Sequence, residues 1–536
     1  MNKNTPTRLS RRSFIARTSG AVALPMLFNG IPLQAFDGPV VNDLFNVEAE
    51  TDRVLVLVQL NGGNDGLNTV IPLSEYGTYQ SLRSNIAITE NKVLKLSNAT
   101  GIHPVMKGAH ELWSEQKMNV VQGVTYPNPN LSHFRSTDIW MSGSASNVNE
   151  TTGWIGRYLN TEYPDYPTGY PNTKMPDPVA IQMAPVVGLT LTGYQHQSMG
   201  IALQDPETFY KLVSGTDAPG NDLPSTKLAA ENIKYVREVQ MKSLQFSAVI
   251  KSAADKAQNK FTYPTSNRLA DQLKIVARLV AGGLKTRVYV VQLGGFDTHA
   301  SQVDADDTIT GTHANLLQMV SEAITAFQRD IEALGIADRV VTMTFSEFGR
   351  RVASNQSLGT DHGTAAPMMF FGVPVQDGII GTNSDMKNLD NGNLKMQYDF
   401  RQIYASVLEQ WFGAKKAAIK DILFGNFSTV KVIKSGTTSV DSEESIQQGS
   451  AWTFQPISPN PVQSNAIIRY ELRAAHHVRL EIFDNLGFHV ATIVHEAQES
   501  GLYEHVFEVA ALPSGTYMVQ LTLNDERAHQ AMIVAK

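Results

Sequence analysis

The sequence contains no cysteine. Disulfide staples, thiolate zinc sites, iron–sulfur ligation and cysteine nucleophiles are therefore excluded, and any metal must be held by His, Asp, Glu, Asn or hydroxyl oxygens. Charge is sparse as well. Charged residues make up 18% of the 536 positions and the net charge is −7. A nucleic-acid partner, which calls for a basic field, is not expected. No central run reaches the ~20 apolar residues of a membrane span. What is abundant is apolar residue, 42% of the chain, enough for a sizeable core spread over two or three domains. No tandem repeat is visible.

The N-terminus carries the first motif. Residues 10–15 read Ser-Arg-Arg-Ser-Phe-Ile, and a short apolar stretch, Ala21 to Phe28, follows. A basic region ahead of a short apolar one is an export-signal pattern. The paired arginines with Phe14 and Ile15 resemble a twin-arginine signal, which implies the twin-arginine translocase, or else the general export machinery, as a partner. Near the other end, residues 435–445 form a polar run without apolar periodicity and read as a linker. The expected organisation is an export signal at 1–36, a core at 37–434, a polar linker at 435–451 and a small module at 452–536.

Within the core, apolar β-branched runs alternate with helical periodicity. Val54–Val58, Val288–Leu293 and Val340–Phe345 suit strands buried on both faces. Between the last two runs, Leu316, Leu317, Val320, Ile324, Phe327, Ile331 and Leu334 recur at helical spacing. Gly335 stands where a helix would stop. Leu269, Leu273, Val276 and Val280 form another such stripe, closed by Gly282 and Gly283. This alternation predicts an α/β core with a mainly parallel sheet flanked by helices.

Ligands of open α/β sheets bind beyond the carboxyl ends of the strands. The first run is followed by Asn61-Gly62-Gly63-Asn64-Asp65-Gly66, the second by Gly294-Gly295-Phe296-Asp297-Thr298-His299, and the third by Ser346-Glu347-Phe348-Gly349-Arg350-Arg351. A fourth segment, Gly359-Thr360-Asp361-His362-Gly363, precedes another apolar run. Asp65, Asp297, His299, Glu347, Asp361 and His362 are the candidate ligands of a divalent metal. Carboxylates with imidazoles suit Zn²⁺, Mn²⁺ or Mg²⁺. Such an ion can polarise a phosphoryl or sulfuryl oxygen and acidify a water. Taken singly each residue has a plainer explanation. An Asp in a Gly-rich loop is more often a turn or a helix cap, Glu347 could simply pair with Arg350 or Arg351, and a lone His103 or His313 is more often a packed or surface side chain.

The last core motif, Leu131-Ser132-His133-Phe134-Arg135, follows a Pro/Asn-rich loop. Ser132 can cap a helix whose inner face carries Phe134, Ile139 and Trp140. Equally, Ser132 or His133 at a helix N-terminus can bind or attack an anion, with Arg135 adding a charge-assisted bond.

As a set, these motifs, with Gly153-Trp154-Ile155-Gly156-Arg157-Tyr158, resemble a large bacterial family of exported proteins of unassigned function. That family is grouped with the alkaline phosphatase and sulfatase superfamily. The resemblance spans about residues 53–415. It implies a metal-binding Asp at Asp65, a hydroxyl nucleophile near Ser132 and His133, a metal pair at Asp297 and His299, and a late ligand at His362. It also shows departures. An Asp-His pair ahead of a glycine is replaced by Glu347-Phe348, which removes one imidazole. Asp297 and His299 are closer together than usual, and the nucleophile position can fall on His133.

The module at 452–536 reads independently. Val478, Leu480 and Ile482 alternate with polar residues, as do Tyr517, Val519, Leu521 and Leu523. Turn signals stand at Asn485-Leu486-Gly487 and Pro513-Ser514-Gly515. The pattern predicts a β-sandwich. With Ser458-Pro459-Asn460-Pro461 it resembles the type A sorting domain of the type IX secretion system. That implies passage across the outer membrane of a Bacteroidetes-like bacterium, to the cell surface or beyond.

Two functions follow as expectations. One is an exported metal-dependent hydrolase of phosphate or sulfate esters acting on a small anionic substrate, with Ser132, His133, Arg135 and Arg350 as its catalytic groups. The other is a non-catalytic surface protein that keeps the fold for binding or assembly.

Overall fold

A computed structural model describes residues 52–205, 246–434 and, with short gaps, 452–535, together with a strand pair at Leu27–Phe28 and Ile31–Pro32. The twin-arginine motif, the linker at 435–451, the turn at 485–487 and residues 206–245 of the middle insertion lie outside the described residues. The chain divides into two compact units. One spans Thr51–Asp441; the other comprises Met1–Glu50 and Ser442–Lys536.

The larger unit is built on a nine-stranded sheet. Its strands are β1 (Val54–Asn61), β2 (Met118–Thr125), β3 (Ala180–Gln182), β4 (Ile201–Ala202), β5 (Val288–Gly294), β6 (Val340–Phe345), β7 (Ala366–Phe371), β8 (Gly378–Ile380) and β9 (Tyr398–Asp399). The order is β8-β2-β7-β6-β1-β5-β3-β4, with β9 also on β2. β1 lies at the centre, parallel to both β5 and β6. β7 alone runs antiparallel to its neighbours β6 and β2.

β1 shows why the sheet is covered on both sides. Side chains alternate across a strand, and both sets are apolar here. Val54, Val56, Val58 and Leu60 enter one core, shared with the helices α3 (Arg268–Ala281) and α4 (Thr312–Ala333). Leu55 and Leu57 enter the other, shared with α1 (His133–Ser142) and α2 (Trp154–Glu162). Each fully buried Val or Leu contributes roughly 1.5–3 kcal/mol over exposure. A strand with two apolar faces is stable only where helices cover both.

The two predicted helices are present. Asn267 caps α3 by accepting from the backbone N–H groups of Leu269 and Ala270. α4 stops at Ala333, with Gly335 in the left-handed region.

The direction of the strands decides where chemistry can sit. β1, β5 and β6 are parallel, so their C-terminal loops emerge at one sheet edge. β7 is antiparallel, so its N-terminal approach, residues 359–365, emerges at that same edge. Four loops distant in sequence therefore meet there.

In the smaller unit, β10 (Trp452–Phe454), β11 (Asn465–Leu472) and β14 (Gly501–Glu508) form one antiparallel sheet. β12 (His476–Phe483), β13 (His489–Gln498), β15 (Gly515–Leu523) and β16 (Glu526–Val534) form a second. Ile468 and Tyr470 of the first share one core with Val478, Leu480, Ile482, Val519 and Leu521 of the second. No helix among the described residues is long and apolar enough to cross a membrane.

Candidate metal centre

His133, Asp297 and His362 each offer a ligand atom within 4.8 Å of the other two. They come from the first turn of α1, the loop after β5 and the approach to β7. A chain of hydrogen bonds explains how α1 delivers His133 there. Ser136, one turn on, donates its hydroxyl to the backbone carbonyl of Glu347. This seats the start of the helix on the loop after β6. His133 Nδ1 then lies 2.8 Å from Glu347 Oε1.

These partners fix the imidazole tautomers. A carboxylate oxygen accepts but cannot donate, so Nδ1 of His133 carries its proton towards Glu347 and Nε2 of the neutral ring carries a lone pair. His362 repeats the arrangement with Nδ1 2.8 Å from the backbone carbonyl oxygen of Leu131. Both Nε2 atoms turn towards the same carboxylate: His133 Nε2 lies 3.3 Å from Asp297 Oδ2, and His362 Nε2 lies 3.2 Å from Asp297 Oδ1. His133 Nε2 is buried and has no hydrogen-bond partner among the described residues.

Lone pairs facing a carboxylate repel it. Either a second proton on each ring or one shared cation removes the repulsion. Burial, the largest influence on His362, holds its pKa below the usual histidine value, against the pull of Leu131 and Asp297, so a second proton there is disfavoured. A cation fits the donor set. Tetrahedral Zn²⁺ with bonds of about 2.0–2.1 Å would place neighbouring ligand atoms roughly 3.3 Å apart. Two imidazoles and one carboxylate are borderline donors, better suited to Zn²⁺ or Mn²⁺ than to Mg²⁺, which prefers oxygen.

Asp297 is held ionised. Burial raises its pKa, but the hydrogen bond and charge of Arg350, aided by His362 and His133, bring it down to about 2. Arg350 is fully buried. Nη2 donates to Asp297 Oδ1 at 2.6 Å, to the Phe296 carbonyl at 3.1 Å and to the Gly62 carbonyl; Nε donates to Gly63 at 2.7 Å and Nη1 to Thr360 at 2.9 Å. One guanidinium thus ties together the loops after β1, β5 and β6 and the approach to β7. Gly62 (φ +121°) permits this junction, because a Cβ there would stand 2.4 Å from the Asp297 nitrogen.

The other expected residues divide into three groups. His299 and Asp361 stand at the exposed rim. His299 Nε2 is 3.2 Å from Asp297 Oδ1, and its Nδ1 is 3.4 Å from Asp361 Oδ1. The bond from Asn355, with the contribution of His299, outweighs burial and lowers the pKa of Asp361. Glu347 is the next group. It faces His133 through the same oxygen that accepts the Gly62 N–H at 2.8 Å, so it supports His133 and is not one of the three.

Asp65, Arg135 and Arg350 form the last group, and here the structure differs from the expectation. Asp65 caps the short helix Gly66–Thr69 and pairs with the fully buried Arg83 at 2.7 Å. The plainer helix-cap explanation holds, and Asp65 is not part of the three-residue cluster. Arg135 donates to the carbonyls of Ser146 and Val148, so it staples a loop and does not reach for an anion. Arg350 is buried and occupied at all three nitrogens, with none presented to a substrate. Phe134 also departs from expectation: it is 87% exposed. Ser136, Ile139 and Trp140 line the buried face of α1, and Phe134 falls about 200° around the helix from Ser136.

Ser132 occupies the N-cap of α1, is exposed, and makes no side-chain cap bond. His103 and His313 are buried, and burial, the main cause in each, lowers their pKa values to about 3 and about 4. His313 Nε2 lies 2.9 Å from Asn64 Oδ1. Phe348, next to Glu347, packs against the rings of both His133 and His362 at centroid distances of 4.9 and 4.7 Å. One contributor carried no signal in the sequence: the Leu131 carbonyl, which is backbone.

Comparison with known proteins agrees with the two-part organisation. A family model described as "Protein of unknown function (DUF1501)" matches residues 124–423. A second, described as "Secretion system C-terminal sorting domain", matches residues 456–535. Nothing among the curated proteins matches. One similar solved structure is a protein in the alkaline phosphatase superfamily from Vibrio parahaemolyticus, with 9% identity over 88% of this chain and 82% of that one, at a TM-score of 0.34. Another is the PsFucS1 sulfatase from Pseudoalteromonas sp., with 10% identity over 88% and 87%, at 0.32. Dimeric latent PorU from Porphyromonas gingivalis matches over 16% of this chain and only 9% of its own length, with 16% identity and a TM-score of 0.14. The C-terminal module is a sorting domain of the type IX secretion system. It indicates export and targeting to the cell surface, and it implies interaction with that machinery.

Proposed function

This chain belongs to the DUF1501 family, and we propose that it is an exported hydrolase of phosphate or sulfate esters whose single metal is held by His133, Asp297 and His362. The observation that carries this reading is the buried Nε2 of His133, which faces Asp297 without a hydrogen-bond partner among the described residues while its Nδ1 is committed to Glu347. When bound, a divalent ion in this set would polarise an ester oxygen and lower the pKa of a water.

The chain's own residues supply the rest. Glu347 and the Leu131 carbonyl hold the two imidazoles in the ligating tautomer. Arg350 fixes Asp297 from behind and keeps it ionised. Ser132, exposed at the N-terminus of α1 beside His133, is the hydroxyl placed to meet an anionic ester, where free backbone N–H groups favour negative charge. His299, paired with Asp361, stands next to Asp297 and is the group to hold or deliver a proton at the departing oxygen. His133 is assigned as a ligand, which leaves Ser132 as the attacking or anion-binding group. We further propose that residues 1–36 act as a twin-arginine leader and that the protein ends on the outer-membrane surface or outside the cell.

A second reading, a surface protein that binds metal without turnover, is favoured by Phe348, whose apolar ring packs against both His133 and His362 and adds no donor to the cluster. Turnover separates the two. Purified chain loaded with Zn²⁺ or Mn²⁺ should hydrolyse generic aryl phosphate or aryl sulfate esters, and His362→Ala should lose at least a hundredfold, on the order of 3 kcal/mol of barrier. Equal turnover in wild type and His362→Ala would remove the hydrolase reading; metal binding with no turnover in either would leave the binding protein.

A further inference from the structure

Gln302 is fully buried in the segment between β5 and α4, and its amide faces both loops that carry metal ligands. Its Oε1 accepts from the Thr298 hydroxyl at 3.0 Å and from the Thr360 hydroxyl at 2.8 Å. Thr298 lies between Asp297 and His299, and Thr360 immediately precedes Asp361 and His362. On its other side, Gln302 Nε2 donates to Asp65 Oδ2 at 2.6 Å, and Asp65 is itself anchored to Arg83. The backbone completes the brace. Thr360 N donates to the Thr298 carbonyl at 3.1 Å, and Gln302 N donates to the Leu358 carbonyl at 2.8 Å. The loops run so close that a Cβ on Gly359 would lie 2.4 Å from the His299 carbonyl group.

Resting on the metal reading above, we infer that Gln302 is a positioning residue which, through Thr298 and Thr360, sets the separation of Asp297 from His362 and so tunes metal affinity. It touches neither ligand. One acceptor oxygen shared by two threonines on different loops leaves little freedom for either loop to move away from the other. The orientation of the amide is fixed as well: Asp65, a carboxylate, can only accept, so Nε2 must face it and Oε1 must face the threonines. Asp65 thereby acts on the centre from a distance, through an amide.

The test is zinc affinity measured by calorimetry on the full chain at neutral pH, in folded samples checked by circular dichroism. Gln302→Met preserves length and removes both sets of hydrogen bonds. It should weaken zinc binding on the order of tenfold. Leu273→Ala, a buried core change in α3, serves as a control that lowers thermal stability without touching the brace, and its zinc affinity should equal wild type. Thr360→Val, a milder change that also serves if Gln302→Met fails to fold, should weaken zinc several-fold. Combined with Gln302→Met it should add little, because both act through one link. Wild-type affinity in Gln302→Met and Thr360→Val, or fully additive losses, would overturn the role given to Gln302. No zinc binding by the wild-type chain would instead overturn the metal reading, and this inference with it.

Discussion

Glu347 Oε1 stands 2.8 Å from His133 Nδ1 and at the same time accepts the backbone N–H of Gly62 at 2.8 Å. One buried carboxylate thus orients an imidazole on α1 and anchors the glycine loop after β1. Carboxylates in this position raise the basicity of a ligating imidazole and fix its tautomer. Glu347→Gln keeps the shape and removes the charge. Zinc affinity of the variant should fall by about tenfold or more, with thermal stability nearly unchanged, as read by calorimetry and a melting curve.

Asp65 contributes to stability and to its dependence on pH. Burial pushes its carboxyl up, but Arg83, helped by Gln302, brings the folded-state pKa below the usual value. A carboxylate with a depressed folded-state pKa stabilises the fold above its unfolded value, about 3.9, and that stabilisation is lost as pH falls through the folded value. Denaturant melts should therefore show stability declining below about pH 4. In Asp65→Asn, which strands a buried guanidinium, the neutral-pH stability should drop by about 3–5 kcal/mol and the acid decline should flatten.

Gly359 lies where the two ligand loops touch. An alanine methyl there meets backbone atoms of His299 at 2.4 Å, and backbone cannot rotate away as a side chain can. Gly359→Ala should cost roughly 1–3 kcal/mol of stability and weaken zinc binding together with it. A melting curve and a titration on the same sample check both.

Much of the fold was legible because it rests on periodicity. The apolar runs at Val54, Val288 and Val340 became central strands, and the stripes at Leu269 and Leu316 became α3 and α4. Their loops were rightly expected at one sheet edge, since parallel order forces that outcome. Of the candidate residues, Asp297 and His362 meet in the three-residue cluster, with His299 and Asp361 at its rim. Asp65 misled because the N-cap of a four-residue helix and a metal ligand are both an Asp among glycines in the sequence; only the buried Arg83, eighteen residues on, separates them. Arg135 and Arg350 misled because a guanidinium carries no mark of whether it faces substrate or backbone carbonyls. His133 stands at the helix start expected for a group that binds or attacks an anion, and it also falls in the three-residue cluster. Its contact with Glu347 spans more than two hundred residues, and no spacing rule connects the two.

A zinc titration of the full chain by calorimetry tests the central claim most directly. One ion should bind per chain, binding should be lost in His133→Ala and in His362→Ala, and it should be retained in Asp65→Asn. Binding that survives both histidine substitutions, or that disappears only with Asp65, would contradict it.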